Sequence, residues 1–374
     1  GRHGRRCEPV ARRILAALDE PVVLDDHEFS VSGSIGLCVF PEDGRDLDTL
    51  MRHADLAMYA AKDQGRGRWV AFDATLKRDA ETQLELESSL RRALERGEFE
   101  LYYQPRLSIA EDRIVGAEAL LRWHHPTQGL ILPGAFIPHA EKTGLIDRIG
   151  AEVIREAARR QRLWADAGHD ISVSINLSAR QFRDPRLKDT IADLVEETGC
   201  DPRRIQVEIT ESMLVGDDRT TAETLSRLTE LGFSIAIDDF GTGYSNLATI
   251  QRHPIDTLKI DRSFIATLET QPALAELIIG MCHLLELRTI AEGVETEEQL
   301  AWLRARNCHE YQGYLFSPAI PAEAFEALLE QQRAMLAADA SGLNEGVSPL
   351  WDLIPLVKRP DDVEWERAEA APTK

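Results

Sequence analysis

Short apolar runs alternate with helical stretches along most of the chain. Amphipathic periodicity predicts helices between several of these runs, as in Ile146–Ala167, Thr220–Leu231, Ala273–Leu287 and Glu297–Arg306. Eight strands with helical crossovers favour an α/β fold of the TIM-like (βα)8 barrel type over an open sheet. The predicted strands are Phe99–Gln104, Ile114–Leu120, Val173–Leu177, Ile205–Ile209, Phe233–Ile237, Thr257–Ile260, Thr289–Ala291 and Tyr314–Phe316.

The segments on either side of this pattern differ from it. The first residues predict a helix at Val10–Leu18, a strand within Phe29–Phe40 and a helix at Leu47–Lys62, which together cannot close a core. We therefore expect half of an α/β domain there. The predicted divisions are a partial domain at 1–73, a polar linking helix at 74–97, the barrel at 98–336 and a disordered tail at 337–374.

Composition disfavours several classes of protein. The 374 residues include 43 Lys and Arg against 64 Asp and Glu, a net charge of −21 that disfavours binding to DNA or anionic lipid. No apolar run reaches the roughly 18–20 residues of a membrane span, and the start lacks a signal peptide. We expect a cytoplasmic chain, although upstream sequence could hold a membrane anchor. Five scattered cysteines without a CxxC pair disfavour a disulfide scaffold or zinc knuckle.

A polar residue lies near an end of nearly every predicted strand. Because the C-terminal ends of barrel strands share one rim, these side chains should converge. All but the lysine carry a side-chain oxygen and none is Cys or His, which favours Mg²⁺ or Mn²⁺. Each residue alone could instead cap a helix or lie in a solvated loop. The set is Gln104, Glu118, Asn176, Glu208, Asp238, Lys259, Glu292 and Gln312.

Two adjacent carboxylates follow the strand Phe233–Ile237. A turn freed by Gly241 and Gly243 would let Asp238 and Asp239 face one site. Like charges so close are unfavourable unless a cation lies between them. A pair of divalent ions about 3.5–4 Å apart, acting on a phosphoryl group, would use such a bridging carboxylate. An ordinary acidic turn or a helix cap is the alternative.

Other charged residues extend this candidate site. Lys259 and Asp261 are two apart and would share a strand face; the lysine could orient a water or meet a phosphate, or form a simple buried ion pair. Glu208 and Glu211 are three apart and cannot both face the barrel axis, so one is a ligand and the other braces a loop. Arg122 could bind a phosphate, or form a surface salt bridge.

The motif Glu118-Ala-Leu120, together with the polar residues described above, resembles the EAL domain, a family of cyclic di-GMP phosphodiesterases. The resemblance runs from about Leu84 to Leu336. It rests on Glu118-Ala-Leu120, Tyr102-Tyr-Gln-Pro105, Phe136-Ile-Pro-His-Ala-Glu141, Asn176-Leu-Ser178, Glu208-Ile-Thr-Glu211, Asp238-Asp-Phe-Gly-Thr-Gly-Tyr-Ser245, Lys259-Ile-Asp261, Ala291-Glu-Gly-Val-Glu295 and Gln312-Gly-Tyr314.

The first segment resembles the C-terminal half of a GGDEF domain, the diguanylate cyclase family. It carries Ser34-Ile-Gly36, Phe40-Pro41 and Gly65-Arg66-Gly67 at matching positions. The nucleotide-binding and catalytic half of that family is missing from the chain, so cyclase activity is not expected.

The EAL resemblance implies metal-dependent hydrolysis of cyclic di-GMP to linear pGpG by two Mg²⁺ or Mn²⁺ ions. It implies that Glu118, Asn176, Glu208 and Asp238 hold one ion. Asp238 and Asp239 would engage a second, with Glu292 nearby, and Lys259 would position the nucleophilic water. The implied catalytic residues are Glu118, Asp239, Lys259 and Glu292.

The resemblance also assigns supporting roles. Glu211 would brace the loop after Asp239, which borders the usual homodimer contact of the family. The first barrel strand would be antiparallel to its neighbours. Two alternatives stay open: a receptor that holds cyclic di-GMP without cleaving it, and a regulatory module. Residues at substrate-side or supporting positions would be Gln104, Arg122, Asp261, Glu295 and Gln312.

Overall fold

The computed structural model describes residues 4–24, 27–214, 219–241 and 247–340. Two compact units divide the chain, Gly1–Ser89 and Leu90–Lys374. Residues 341–374 of the predicted tail lie outside the described residues. Among the helices that the structure describes, none has the length and apolar character needed to cross a membrane.

The first unit combines short strands with three helices, the last of which continues past its end. The strands β1 (Val22–Leu24) and β2 (His27–Phe29) pair antiparallel, and β3 (Ile35–Leu37) and β4 (Trp69–Ala71) pair parallel. The predicted strand within Phe29–Phe40 is two short strands, β2 and β3, since residues 30–34 between them are not in a strand. The elements are α1 (Gly4–Leu18), β1 (Val22–Leu24), β2 (His27–Phe29), β3 (Ile35–Leu37), α2 (Leu47–Asp63), β4 (Trp69–Ala71) and α3 (Ala74–Arg96).

Local chemistry explains where α2 begins and how it packs. Asp46 caps the helix, since its carboxylate accepts the backbone N–H of Thr49. Gly36 on β3 lets the helix come close, because a β-carbon there would lie 1.9 Å from the carbonyl oxygen of Ala54. The strand pair and α2 are thus in direct backbone contact.

The second unit is a closed barrel of eight strands, which confirms the predicted fold class. The first strand, β5, is antiparallel to both of its neighbours, and the other seven are mutually parallel, as the resemblance implied. The short β7 (Gly129–Ile131) and β14 (Ile320–Pro321) pair with β6 and β5. The barrel strands are β5 (Phe99–Ser108), β6 (Arg113–His125), β8 (Ser172–Asn176), β9 (Ile205–Thr210), β10 (Ser234–Phe240), β11 (Thr257–Ile260), β12 (Arg288–Ala291) and β13 (Glu310–Tyr311).

Helices follow the barrel strands and cover their outer faces. Tyr103 of β5 packs edge-on against the helical residue Trp164, with ring centroids 4.9 Å apart, and the helical residue Phe325 lies 5.0 Å from Trp164. The helices are α4 (Pro133–Thr143), α5 (Ile146–Asp166), α6 (Ala179–Phe182), α7 (Leu187–Thr198), α8 (Arg219–Glu230), α9 (Leu247–Arg252), α10 (Arg262–Ala266), α11 (Ala273–Leu284), α12 (Glu297–Arg304) and α13 (Ala322–Ala340). Two short 3-10 helices span Pro202–Arg204 and Glu211–Leu214.

The eighth barrel strand differs from the prediction of Tyr314–Phe316. It is the two-residue β13, and the apolar run after it turns away, with the N–H of Phe316 donating to the carbonyl of Gly313. The buried strand pairs Glu310 with Ile290 of β12 and begins with a charged residue. A polar residue facing the barrel interior removed the apolar signal that strand prediction relies on.

Candidate active site

The interior of the barrel is polar, while the outer faces of its strands are apolar. On β9, Val207 and Ile209 belong to the hydrophobic core, whereas Gln206 and Glu208 alternate with them and contact polar side chains of other strands. The register places Asn176 of β8 beside Glu208. Polar residues of adjacent strands therefore meet at one level, near the C-terminal ends of the parallel strands.

Lys259 is the centre of this level. Its ammonium nitrogen lies 2.6 Å from Oε2 of Glu208 and 2.6 Å from Oε1 of Glu292. The same atom lies 3.1 Å from Oε2 of Glu118 and 3.1 Å from Oδ1 of Asp238. Lys259 and Glu208 have no exposed surface. Four predicted site carboxylates thus converge on one predicted site lysine.

This excess of carboxylates keeps Lys259 charged. Burial opposes its charged form, but Asp238, Glu118 and the other neighbouring carboxylates outweigh burial and raise the pKa of Lys259 well above its usual value. Burial also opposes ionisation of Glu118. There the charge of Lys259 and the hydrogen bond from Gln312 prevail and lower the pKa of the carboxyl.

Three carboxyls at this level, those of Glu208, Asp239 and Glu292, resist ionisation. Burial, then the charge of Glu118, raises the pKa of Glu208 to about 7. Burial, then the charge of Asp238, raises the pKa of Asp239 to about 6. Burial also raises the pKa of Glu292 well above its usual value. One lysine does not neutralise this many acids, so the cluster favours additional positive charge.

Asp238 and Asp239 form a β-bulge opposite Lys259. Ile237 pairs with Leu258 and Phe240 with Ile260, so two residues of β10 oppose one residue of β11. The strand therefore continues through the two aspartates to Phe240, beyond its predicted end at Ile237.

The bulge is made possible by Asp239 itself, which has a φ of 53°, in the left-handed region. Gly241 has a φ of 98°, whereas Gly243 lies outside the described residues. Carboxylate oxygens of Asp238, Asp239 and Glu292 lie within 4.8 Å of one another.

Two amide side chains donate hydrogen bonds to the carboxylates of Glu118 and Glu292. Gln312 donates through Nε2 to Oε2 of Glu118 at 2.7 Å and to Oε1 of Glu292 at 3.3 Å. Asn176 donates to Oε1 of Glu118 at 2.7 Å. Both oxygens of Glu118 therefore have fixed positions.

Glu211 contacts the segment that follows the aspartates. It lies in the 3-10 helix after β9, is 4% exposed, and accepts the N–H of Gly241 at 3.1 Å. It follows the end of β9 at Thr210, so Glu208 lies on the strand and Glu211 does not. Its role as a brace remains a prediction.

Arg122 and Gln104 lie on the two antiparallel strands β5 and β6. Arg122 is 2% exposed and lies over the ring of Tyr102 at 5.5 Å, so it is a buried group and not a surface one. Gln104 is the register partner of Glu118 and donates to the carbonyl of Ser317 at 3.3 Å.

Asp261 and Glu295 lie outside the carboxylate cluster. Asp261 does not share a strand face with Lys259, because β11 ends at Ile260 and Asp261 caps α10 by accepting the N–H of Ser263 at 3.0 Å. Glu295 is exposed just before α12. The prediction of a shared strand face was wrong for this reason.

Two features near the site were not predicted from the sequence. An apolar cavity of about 440 Å³ opens beside Asn176, lined by Leu120, Leu121 and residues of α4 and α5. The second is Arg106, which is buried inside the barrel two residues after Gln104. Its position two residues after Gln104 is the sequence signal, because this spacing puts a charged residue on the same strand face as a predicted site residue.

The residues of the cluster fit divalent cations. Their side chains offer only oxygen ligands, apart from the lysine, which suits Mg²⁺ or Mn²⁺. Among the described residues, no donor lies within hydrogen-bonding distance of the buried Oε1 of Glu208. A buried carboxylate oxygen without a donor is a favourable ligand for a cation.

Comparison with known proteins identifies this arrangement. Residues 87–319, more than half of the chain, match the sequence model of the EAL domain. The chain belongs to the EAL domain family. Residues 2–68 match the diguanylate cyclase GGDEF domain, which agrees with the resemblance of the first segment.

Relatives of this EAL chain include signalling proteins of Pseudomonas aeruginosa. It is 42% identical over 318 residues to the bifunctional diguanylate cyclase/cyclic di-GMP phosphodiesterase MucR, covering 84% of this chain and 46% of MucR. It is 39% identical over 340 residues to the cyclic di-GMP phosphodiesterase NbdA, covering 90% of this chain and 43% of NbdA. The chain thus spans less than half the length of these two relatives.

A solved structure supports the fold. The structure of the PaMucR phosphodiesterase in complex with c-di-GMP matches with a TM-score of 0.63 and 43% identity. The match covers 64% of this chain and 99% of that one. The EAL barrel of this chain is therefore similar to one solved with the cyclic dinucleotide.

Proposed function

We propose that this chain hydrolyses cyclic di-GMP to linear pGpG in bacterial second-messenger signalling, with Mg²⁺ or Mn²⁺ as cofactor. The observation that carries the proposal is the buried cluster of four carboxylates around Lys259 at the rim of an EAL barrel. The names of the MucR and NbdA relatives, and the neighbour solved with c-di-GMP, support the choice of substrate.

The proposed metal ligands lie in two overlapping groups. Glu118, Asn176, Glu208 and Asp238 would hold one ion. Asp238 and Asp239 would hold a second, with Glu292 close to both aspartates. When bound, the ions would lower the pKa of a water and neutralise charge on the phosphodiester.

The side chains of the cluster would prepare the reaction. In the proposed step, a water oxygen forms a bond to phosphorus as the bond to the 3′ oxygen breaks. The products are a 5′-phosphate and a 3′-hydroxyl, and the proton lost by the water balances the one gained by the 3′ oxygen. The charged Lys259 would orient the attacking water and counter the negative charge of the transition state.

Residues around the rim would hold the dinucleotide. The apolar cavity beside Asn176 has the size and character to accept a purine base. Arg122, Gln104, Asp261 and Glu295 are proposed substrate-side groups. Glu211 would keep the segment after Asp239 in place through Gly241. We also propose a homodimer, although the loop that would form the contact, 242–246, lies outside the described residues.

The test is chromatography of cyclic di-GMP incubated with the purified chain in Mg²⁺, Mn²⁺, Ca²⁺ or EDTA. We expect pGpG with Mg²⁺ or Mn²⁺, little with Ca²⁺, which is larger and takes looser geometry, and none with EDTA. If the nucleotide binds by calorimetry but survives in every metal, the chain is a receptor and the proposal fails.

A further inference from the structure

A buried arginine crosses the floor of the barrel, beneath the carboxylate cluster. Arg106 of β5 is 2% exposed. Its Nη1 donates to Oε1 of Gln206 at 2.5 Å, and its Nη2 donates to Oγ of Ser172 at 2.7 Å. Its Nε lies 3.7 Å from Oε2 of Glu310. One guanidinium thus links β5 to β9, β8 and β13.

The partners of Arg106 extend the network to two further strands. Gln206 donates through Nε2 to Oγ1 of Thr257 on β11 at 2.9 Å. Glu310 also accepts from Nη2 of Arg288 on β12 at 2.6 Å. Arg106 with Gln206, Ser172, Thr257 and Glu310 is called the floor network below. Apart from Ser172, each of its members is at least nine-tenths buried.

Three strands of the floor network lead to residues of the carboxylate cluster or to Gln312, which contacts it. Gln206 precedes Glu208 by two residues, and Thr257 precedes Lys259 by two. On β13, Glu310 begins the two-residue strand and Gln312 follows directly after its end. Residues two apart on a strand face the same side, about 6.6 Å apart along it. The floor network therefore lies directly below the groups that surround Lys259.

Gly116 leaves the space that Arg106 occupies. A β-carbon at position 116 would lie 2.6 Å from Nη2 of Arg106 and 2.7 Å from Oγ of Ser172. Gly116 is the register partner of both Arg106 and Ser172, and it precedes Glu118 by two residues. The absence of a side chain at this position is a condition for the floor network.

The strands β5 and β13, which Arg106 links through Glu310, pair over a short stretch. The two-residue β13 pairs with β5 only through Glu310 with Ser108 and Tyr311 with Leu107, among the described residues. Gln312, which holds Glu118, follows this short strand directly. A side-chain link from Arg106 to Glu310 therefore helps to set where Gln312 lies.

We propose that Arg106 is a positioning residue for the metal-binding carboxylates, an inference that rests on the proposed metal site. Its guanidinium fixes β9 and β13 relative to β5, and thereby the relative positions of Glu208 and Gln312. Together with Arg288, it supplies positive charge beside the buried Glu310. Groups that orient metal ligands from behind typically change metal affinity or activity about 10–100-fold when removed.

The test measures Mn²⁺ binding to the whole chain without nucleotide, from the electron paramagnetic resonance signal of free Mn²⁺. We expect Arg106→Met to raise the dissociation constant at least about tenfold, and Arg106→Lys to raise it less. The matched control is Arg304→Gln, which removes an ion pair with Asp112 from a side chain 49% exposed and outside the floor network. The control should bind Mn²⁺ as the wild type does.

A second variant covers the case in which Arg106→Met does not fold. Gly116→Ala keeps the guanidinium but displaces it, and it should raise the Mn²⁺ dissociation constant in the same direction. Ser172→Ala removes one acceptor and should have a smaller effect of the same sign.

Folded Arg106 and Gly116 variants with the wild-type dissociation constant would overturn the proposal, even if they melt at lower temperature. So would a wild type that binds no Mn²⁺. A wild type that binds Mn²⁺ but forms no pGpG would contradict the proposed function alone.

Discussion

The ammonium nitrogen of Lys259 lies 2.6 Å from Oε2 of Glu208, and both side chains are buried. Three further carboxylates contact the same ammonium. The lysine is thus the resident positive charge of a site that carries a surplus of negative charge. This surplus should link the stability of the barrel to the divalent cations that the site is proposed to bind.

Removing the lysine charge should destabilise the chain. Loss of one partner of a buried ion pair costs about 3–5 kcal/mol, so Lys259→Met should lower the free energy of unfolding by that amount in EDTA. Saturating Mg²⁺ should reduce the loss, because the ions supply the missing charge. Urea denaturation with and without Mg²⁺ measures both effects.

The control is Lys188→Met, since Lys188 is an exposed lysine of α7. Turnover should fall about 10²–10³-fold in Lys259→Met, the usual effect of losing a preorganised electrostatic group. If Lys259→Met and Lys188→Met had equal stability and turnover, the claim that Lys259 neutralises the carboxylate cluster would be contradicted.

Loss of the Glu211 carboxylate should impair turnover without emptying the metal site. Glu211→Ala leaves the N–H of Gly241 without its acceptor, a loss of about 1–3 kcal/mol that should fall on the segment after Asp239. Glu211→Gln keeps an acceptor oxygen and should be milder. Steady-state rates of pGpG release check this order, and an inactive Glu211→Gln beside an active Glu211→Ala would refute the bracing role.

Replacing Gly313 with alanine should displace the backbone beside the site and destabilise the chain. A β-carbon on Gly313 would lie 2.2 Å from the carbonyl oxygen of Val294, so Gly313→Ala must shift the backbone next to Gln312. We expect a loss of about 1–3 kcal/mol in unfolding free energy. Gly134→Ala is the control, since no atom lies within 4 Å of a β-carbon there. Similar melting temperatures for both variants would argue against the close approach.

The barrel unit should keep its activity without the first segment. The cluster around Lys259 belongs to Leu90–Lys374, and the PaMucR structure corresponds to 64% of this chain. A chain shortened by residues 1–73 should therefore convert cyclic di-GMP at a rate within about threefold of the full chain. A much larger change would favour a regulatory role for the GGDEF segment.

Most of the barrel is predictable from the sequence, because the outward faces of its strands are apolar. Val207 and Ile209 mark β9, and the polar residues between them mark its inner face. The convergence of Glu118, Glu208 and Asp238 follows from the shared rim. The strand β13 escaped prediction since it is two residues long and begins with Glu310.

Features that depend on exact register were not predictable. The bulge at Asp238 and Asp239 requires knowledge of the pairing with Lys259, which apolar periodicity does not contain. Asp261 matched the spacing of a strand face but lies beyond the end of β11, where it caps a helix. Arg106 is a charged residue that three strands surround, and only the closed barrel shows its partners.

The most direct test of the account compares pGpG formation by the wild type and by Asp238→Asn, in saturating Mg²⁺. Asp238 contacts Lys259 and lies in both proposed metal groups, so the variant should lose at least about 10³-fold in rate while still folding. Asp166→Asn, at the exposed end of α5, should retain the wild-type rate. Wild-type turnover by Asp238→Asn would contradict a phosphodiesterase that works through this carboxylate cluster.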